Sequence, residues 1–296
     1  MSFRSGFAAI IGRPNAGKST LLNSLVGQKI TIVSPRSQTT RNCIRAIVNG
    51  EDYQLVFLDT PGIHKPQNKL GQYMMRAQRE AQEGCDVIVA MVTADDRFGP
   101  TDEAMLEGLR EAQCPCVAVI NKMDAADPEL LKSVRSSLEK YTFLESVHCI
   151  SALTGEGLPE LLSALVGLLP EGEAFFPPEL VTDYPERFLA SEIIREKLLE
   201  LLRDEVPHGV GVQIVQMKER ANGDVYILAD ILCERKSHKG IIIGKGGSML
   251  RTAGAAARAE LEEALQCKVY LELFVKVQQD WRDSEKALKQ LGYTQE

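Results

Sequence analysis

The sequence predicts two successive domains. One is α/β, with a mostly parallel six-stranded sheet and helices on both faces, over residues 1–172. The other is a smaller α+β domain over residues 186–296. Three observations predict this. Up to Leu169, short apolar runs alternate with helical periodicities, the order of a doubly wound sheet. Over residues 171–185 the chain carries Gly172, Pro177-Pro178 and Pro185 with no periodicity, so residues 173–185 read as a linker. Beyond it the order changes to a helix, two strands, helices and a last strand. At 296 residues, each half is long enough to bury its own core.

The first strand, residues 6–11, runs into Gly12-Arg13-Pro14-Asn15-Ala16-Gly17-Lys18-Ser19-Thr20, and a helix begins near Lys18. Gly12 through Ser19 fits G-x-x-x-x-G-K-S/T, and strand, glycine loop, helix is the setting of a phosphate-binding P-loop. The amides of residues 15–19 are expected to turn inward around a β-phosphate. Gly12 and Gly17 let the backbone bend and approach closely. The helix adds its positive end. Lys18 supplies a cation for the β- and γ-phosphates, and Ser19 a hydroxyl for Mg²⁺. Asn15, Ala16 and Thr20 belong to the same nucleotide-binding set.

A polar connection, residues 27–42, leads to strands over 43–48 and 53–58 on either side of Asn49-Gly50, a hairpin signal that places one antiparallel strand in the sheet. The second run ends in Asp59-Thr60-Pro61-Gly62. Downstream of a P-loop, Asp59 is expected to reach Mg²⁺ through water and Gly62 to offer its N–H to a γ-phosphate. A helix over 70–83, a strand over 87–92, a helix over 101–112 and a strand over 116–120 lead to Asn121-Lys122-Met123-Asp124. N-K-x-D reads guanine. Asp124 accepts from N1–H and the 2-amino group together, Asn121 ties the loop to the P-loop, and the Lys122 stem covers the base. Buried polar groups of this kind reject the wrong base because they are left unpaired. A helix over 128–140 and a strand over 147–150 end in Ser151-Ala152-Leu153, where the Ala152 amide is expected to meet guanine O6. A helix over 158–169, with Leu158, Leu161, Leu162, Leu165 and Leu169 on one face, closes the domain.

Together these pieces resemble the Era family of bacterial ribosome-assembly GTPases, within the translation-factor-like (TRAFAC) class of P-loop GTPases, over almost the whole chain. The resemblance makes Gln38-Thr39-Thr40-Arg41 the first switch segment. It implies that Thr40, or the adjacent Thr39, ligates Mg²⁺ when the γ-phosphate is present. Ras-like enzymes place a water-orienting Gln directly after the glycine equivalent to Gly62. This chain has Ile63 there. Hydrolysis would then rest on Lys18, Thr40, Asp59, Gly62 and Mg²⁺, and be slow without help. Asn15 is similar to the asparagine that helps hold a K⁺ ion in relatives, an ion that would supply the charge an arginine finger gives elsewhere.

In the second domain a helix over 187–203 carries Ala190, Ile194, Leu198 and Leu201 on one face, and strands over 210–217 and 225–232 join across Asn222-Gly223. Then come Ile241-Ile242-Ile243-Gly244-Lys245-Gly246-Gly247, an Ala-rich helix to about Leu265, and a strand alternating at Val269, Leu271, Leu273, Val275 and Val277. G-x-x-G between helical segments, in the order helix-strand-strand-helix-helix-strand, resembles a type II KH domain, whose loop clamps about four nucleotides of single-stranded backbone. The candidate RNA contacts are Lys239, Ile242, Gly244, Lys245, Gly246, Gly247 and Arg251, with residues 241–243 lining a groove for bases. The tail from Gln278 adds a helix, and Trp281 anchors it by packing.

Composition narrows the classes further. Net charge is −7, which gives no global signal for nucleic acid, but residues 235–259 contain no acid and six Lys or Arg. Local fields matter more than the total for a polyanion. The seven cysteines are odd in number and scattered, as reduced cytosolic thiols are. The N-terminus lacks a secretory apolar region, and the longest apolar run, around 87–92, is too short to cross a bilayer. The protein is expected in the cytoplasm, at most peripheral on a membrane. The expected function is hydrolysis of GTP to GDP by a monomer. By the resemblance, it binds the 3′ region of 16S rRNA in assembly of the 30S subunit, with loose contact to the inner membrane face. The rival reading is a GTP-dependent cell-cycle or membrane-associated regulator whose second domain binds protein. That reading does not require residues 235–259 to be free of acids.

Overall fold

The computed structural model describes residues 2–34, 36, 39–62 and 66–293. The chain divides into two compact units. One is drawn from Met1–Thr31, Thr40–His64 and Met74–Asp183, the other from Ile32–Thr39, Lys65–Tyr73 and Tyr184–Glu296.

The first unit holds strands β1 (Arg4–Gly12), β2 (Ile44–Asn49), β3 (Tyr53–Asp59), β4 (Val87–Thr93), β5 (Cys116–Asn121) and β6 (Leu144–Cys149) in the order β2-β3-β1-β4-β5-β6. Every pairing is parallel except β2 with β3. Every residue of β4 and β5 is buried. Such continuous apolar runs belong to parallel strands covered on both faces. The covering helices are α1 (Lys18–Val26), α2 (Lys69–Glu83) from Met74 on, α3 (Pro100–Leu109), α4 (Pro128–Leu138) and α5 (Leu158–Leu168). Successive β1 side chains go to opposite faces. Ile10 joins a core with Leu21, Phe57 and Leu161, and Ile11 joins one with Ile88, Leu106 and Val134. Burying a side chain of this size contributes about 1.5–3 kcal/mol.

The strand order reverses at β1, so the carboxyl ends of β1, β3 and β5 open at the topological switch point, where sheets of this class bind ligands. The P-loop follows β1, Asp59 ends β3 and Asn121 ends β5. The hairpin forms, but β2 ends at Asn49 and β3 begins at Tyr53, so its connection is residues 50–52, with the Gly50 amide donating to Tyr53 O at 2.9 Å.

The run read as a linker is tied down over most of its length. The fully buried Gln54 side chain accepts from the amides of Phe175 and Phe176 at 2.7 and 2.9 Å and donates to the Phe176 carbonyl at 2.8 Å. The amide of Ile47 donates to Val181 O, and the Phe175 ring packs 4.9 Å from that of Phe7. Absence of periodicity told of an irregular segment, and side chains distant in sequence fix it.

The second unit contains α6 (Glu186–Leu201), β7 (Gly211–Glu219), β8 (Val225–Cys233), α7 (Lys236–Ile243), α8 (Ser248–Leu265), β9 (Val269–Val277) and α9 (Glu285–Gln290). Its sheet runs β7-β8-β9, antiparallel then parallel. Ile194, Leu198, Ile227, Ala257 and Leu261 lie in its core. Trp281 is fully buried and its Nε1 donates to Gly209 O at 2.9 Å, so it is a packing anchor. In the same unit Arg195, fully buried and paired with Glu192, donates to the Thr39 carbonyl, and the Arg36 guanidinium donates to the carbonyls of Leu199 and Leu202.

Candidate nucleotide and RNA sites

The P-loop passes where only glycine fits at two positions. A Cβ on Gly12 would lie 2.7 Å from Met91 O. Gly17 has φ +95°, and a Cβ there would lie 2.2 Å from Asn121 Nδ2. Asn15 also takes a positive φ, +64°, which asparagine tolerates better than most residues. Lys18 is buried and curls back into the loop, its Nζ donating to the carbonyls of Gly12 and Arg13, each at 3.1 Å. Arg13 Nε pairs at 2.9 Å with the buried Asp102 of α3, which fastens the loop from outside.

Oxygen atoms converge beside Lys18. Ser19 Oγ donates to Asp59 Oδ2 at 2.9 Å, and Thr40 Oγ1 lies 3.1 Å from Ser19 Oγ and 3.4 Å from Asp59 Oδ2. Thr31 Oγ1 donates to the same Oδ2 at 3.4 Å. Asp59 is fully buried, and its Oδ1 has no hydrogen-bond partner among the described residues. Burial pushes the Asp59 carboxyl up, against Lys18 and the three hydroxyls. Burial likewise pushes the Lys18 ammonium down, against the Asp59 charge. A carboxylate with one oxygen gathered among hydroxyls and the other orphaned is a donor set for a small hard cation such as Mg²⁺. The Thr39 hydroxyl is used elsewhere, donating to Arg36 O at 2.7 Å, so the threonine hydroxyl beside Ser19 and Asp59 is that of Thr40. A Cβ on Gly62 would sit 3.0 to 3.1 Å from Pro14 atoms, so this turn runs close against the P-loop. Thr20 lies in the first turn of α1. Gln38 and Ile63 lie outside the described residues.

Asn121 joins three loops. Its Nδ2 donates to Ala16 O at 2.8 Å, and its Oδ1 accepts from the Ala152 amide at 2.9 Å. The Ala152 N–H assigned to guanine O6 is already used by Asn121, whereas the Leu153 amide makes no hydrogen bond among the described residues. The buried Ser151 hydroxyl accepts from the Thr154 amide and shapes the turn. Lys122, at φ +65°, pairs its Nζ with Asp95 at 2.8 Å, and Asp124 stands exposed in the turn Met123–Ala125.

Sequence reasoning missed Thr31, Asn23 and Ser24. Asn23 accepts from the amides of Ile30 and Thr31 and donates to Thr31 O, which delivers Thr31 to Asp59. Ser24 Oγ holds Ala152 O at 2.7 Å. No short motif marks these residues. The available signal was polar side chains on a helix face that leads out of a P-loop.

In the second unit Gly244, Gly246 and Gly247 have φ of +73°, +59° and +78°, and Lys245 between them is exposed. Arg251 Nη2 donates to Gly246 O at 2.7 Å, so it braces the loop. Lys239 is half-buried on α7. Ile242 is a correction: its side chain is fully buried in the core and lines no groove, while Ile241 beside it is exposed. On a helix, consecutive side chains point about 100° apart, so three isoleucines in a row cannot share one face. A groove of about 470 Å³ runs between α8 and β9, lined by Leu250, Arg251, Gly254, Ala255, Leu271 and Leu273. Small residues at 254 and 255 keep it open.

A family model described as a 50S ribosome-binding GTPase matches residues 7–122, and one described as a KH domain matches residues 205–282. The chain is 48% identical over 292 residues to GTPase Era of Clostridium botulinum (strain Eklund 17B / Type B), covering 98% of this chain and 99% of that one. It is 48% identical over 294 residues to GTPase Era of Alkaliphilus metalliredigens, covering 99% and 100%. Among solved structures it is similar to Era in complex with MgGDPNP and nucleotides 1506–1542 of 16S ribosomal RNA, with TM-score 0.94, 40% identity, and coverage of 99% and 100%. It is similar also to a variant of Aquifex aeolicus Era bound to GDP and AlF4⁻, with TM-score 0.92, 39% identity and the same coverage.

Proposed function

The chain belongs to the Era family of GTPases, and we propose from that premise that it hydrolyses GTP at the P-loop site and holds the 3′ region of 16S rRNA in its KH groove during 30S assembly. One observation carries the nucleotide half. Asn121 locks the P-loop, the N-K-x-D turn and the Ser151 loop into one frame. In that frame Asp124 reads the guanine N1–H and 2-amino group, the Lys122 stem covers the ring, and O6 meets the free Leu153 amide.

Lys18 puts a buried ammonium where the β- and γ-phosphates arrive, and charge acts more strongly there than in water. Its proton is held more tightly once a polyphosphate replaces the lost hydration. Ser19 and Thr40 would ligate Mg²⁺ directly, and Asp59 would hold it through its hydration. When bound, Mg²⁺ neutralises charge on the β- and γ-phosphates. Gly62 turns its backbone toward the γ-phosphate. Asn15 contributes to a K⁺ site, and equal hydrolysis rates in K⁺ and Na⁺ would remove that part of the reading.

The RNA half rests on three glycines with positive φ, which let a phosphate backbone approach the loop, beside a groove with apolar walls and a cationic rim. The base assignment is tested with Asp124→Asn, titrated with GTP and with xanthosine triphosphate. Preference moves to xanthosine if Asp124 reads the base. Unchanged GTP binding would count against it.

A further inference from the structure

Past the G-x-x-G groove the second unit carries another hollow, of about 460 Å³, whose rim includes Arg220, Arg258, Glu262, Lys268, Tyr270 and Glu272. Arg258 and Leu271 line both hollows, so the two form one channel along β9. β9 is the edge of its sheet, so one side of its backbone carries no ladder partner among the described residues.

The far hollow is cationic in effect. It carries three cations, Arg220, Arg258 and Lys268, against two carboxylates, Glu272 and Glu262, the latter accepting from the Val269 amide at 3.1 Å. Arg258 and Lys268 make no ion pair among the described residues. The Arg220 guanidinium lies 4.1 Å from the centre of the Tyr270 ring, which is half exposed, and 5.4 Å from that of Tyr226. A guanidinium stacked on a tyrosine is a platform on which any base can stack. Two free cations beside it suit a phosphate.

We propose that this hollow is an additional RNA subsite, taking the next nucleotide of the strand that the G-x-x-G loop holds. Its base stacks on the Arg220–Tyr270 pair and its phosphate meets Arg258 and Lys268. An acidic peptide would use the cations but not the aromatic platform, and continuity with the groove favours one strand crossing both. The inference rests on the RNA reading of the groove.

The test is fluorescence anisotropy on the full chain with a short single-stranded RNA that fills the G-x-x-G groove, and with the same RNA extended by two nucleotides at its 5′ or its 3′ end. Base stacking is worth about 1–3 kcal/mol, so extension at one end should tighten binding by about tenfold. Tyr270→Ala and Arg220→Ala, both at exposed positions, should each lose that gain and keep core binding within about twofold. Extension that gains nothing at either end, or a gain that survives both variants, overturns the subsite while core binding still stands. If wild type and Gly246→Asp bind the core equally, the RNA reading fails and the subsite falls with it.

Discussion

Removing the Asn121 side chain should break the nucleotide site from within. In Asn121→Ala the Ala16 carbonyl and the Ala152 amide each lose a buried hydrogen bond, of 2.8 and 2.9 Å. A buried polar group left unsatisfied costs about 1–3 kcal/mol, so the two together cost about 2–6 kcal/mol. The Asn121 amide also fills the space beside Gly17, where no side chain can go, so truncation opens a void against the P-loop. Both loops must hold the same positions around a nucleotide, so the loss falls on binding as well as on stability. At about 1.4 kcal/mol per tenfold, guanine-nucleotide affinity should fall at least about 30-fold. Titration with a fluorescent GDP analogue, alongside thermal unfolding of the full chain, measures both. Ser24→Ala is the graded control: it removes one partly buried bond to Ala152 O and should cost only about 1 kcal/mol. Affinity within threefold of wild type for Asn121→Ala, with undiminished thermal stability, would refute the three-loop frame.

Three further outcomes follow from the same geometry. Thr40→Ala should raise the Mg²⁺ concentration needed for hydrolysis by tenfold or more, while Thr39→Ala leaves it within about threefold; the order reversed would reassign the ligand. Asp59→Asn should raise the melting temperature of the nucleotide-free protein at pH 7 and abolish its further rise with Mg²⁺ and GTP. The sign follows from the raised carboxyl. Burial lifts it above its ordinary 3.8, so its contribution to stability is full below that value and is lost as pH rises through the lifted one. At neutral pH burying this carboxyl is therefore a cost that the amide avoids, and a lower melting temperature in the variant would contradict this. Gln54→Ala should free the 173–183 segment, costing about 2–4 kcal/mol and opening it to limited proteolysis, since one buried amide side chain holds two amides and a carbonyl there. Resistance equal to wild type would mean that the ring of Phe175 suffices.

Much of the nucleotide site was legible because its parts are local. Gly12 through Thr20 carry the loop, the cation and the helix start within one stretch, and Asp59 and Asn121 each stand at the end of an apolar strand. What sequence missed depends on atoms that meet only in three dimensions. Thr31 reaches Asp59 because Asn23 bends the intervening chain, a link of one helix face to a loop with no fixed spacing. The choice between Thr39 and Thr40 turned on which hydroxyl another carbonyl already occupies. The bond from the Ala152 amide to Asn121 was not legible, because it joins two loops 31 residues apart. Ile242 shows the opposite failure: an apolar triplet was read as a surface groove although helical geometry sends neighbouring side chains to different faces. The 171–185 run was legible as irregular, but not as anchored, because Gln54 lies more than a hundred residues away.

The account joins a GTP site to an RNA-holding loop, and RNA binding tests that union most directly. The measurement is binding of a single-stranded 16S 3′-end oligonucleotide, against a scrambled one, at two salt concentrations, with GDP and with a non-hydrolysable GTP analogue. Wild type and Gly246→Asp are compared; no atom lies within 4 Å of a Cβ at that exposed glycine, and the variant both brings a charge that repels phosphate and strains a backbone at φ +59°, where aspartate is among the better tolerated residues. The account predicts selective, salt-sensitive binding that strengthens with the analogue and is lost in Gly246→Asp. Binding indifferent to sequence, nucleotide and Gly246 would contradict it and move the protein-binding reading forward.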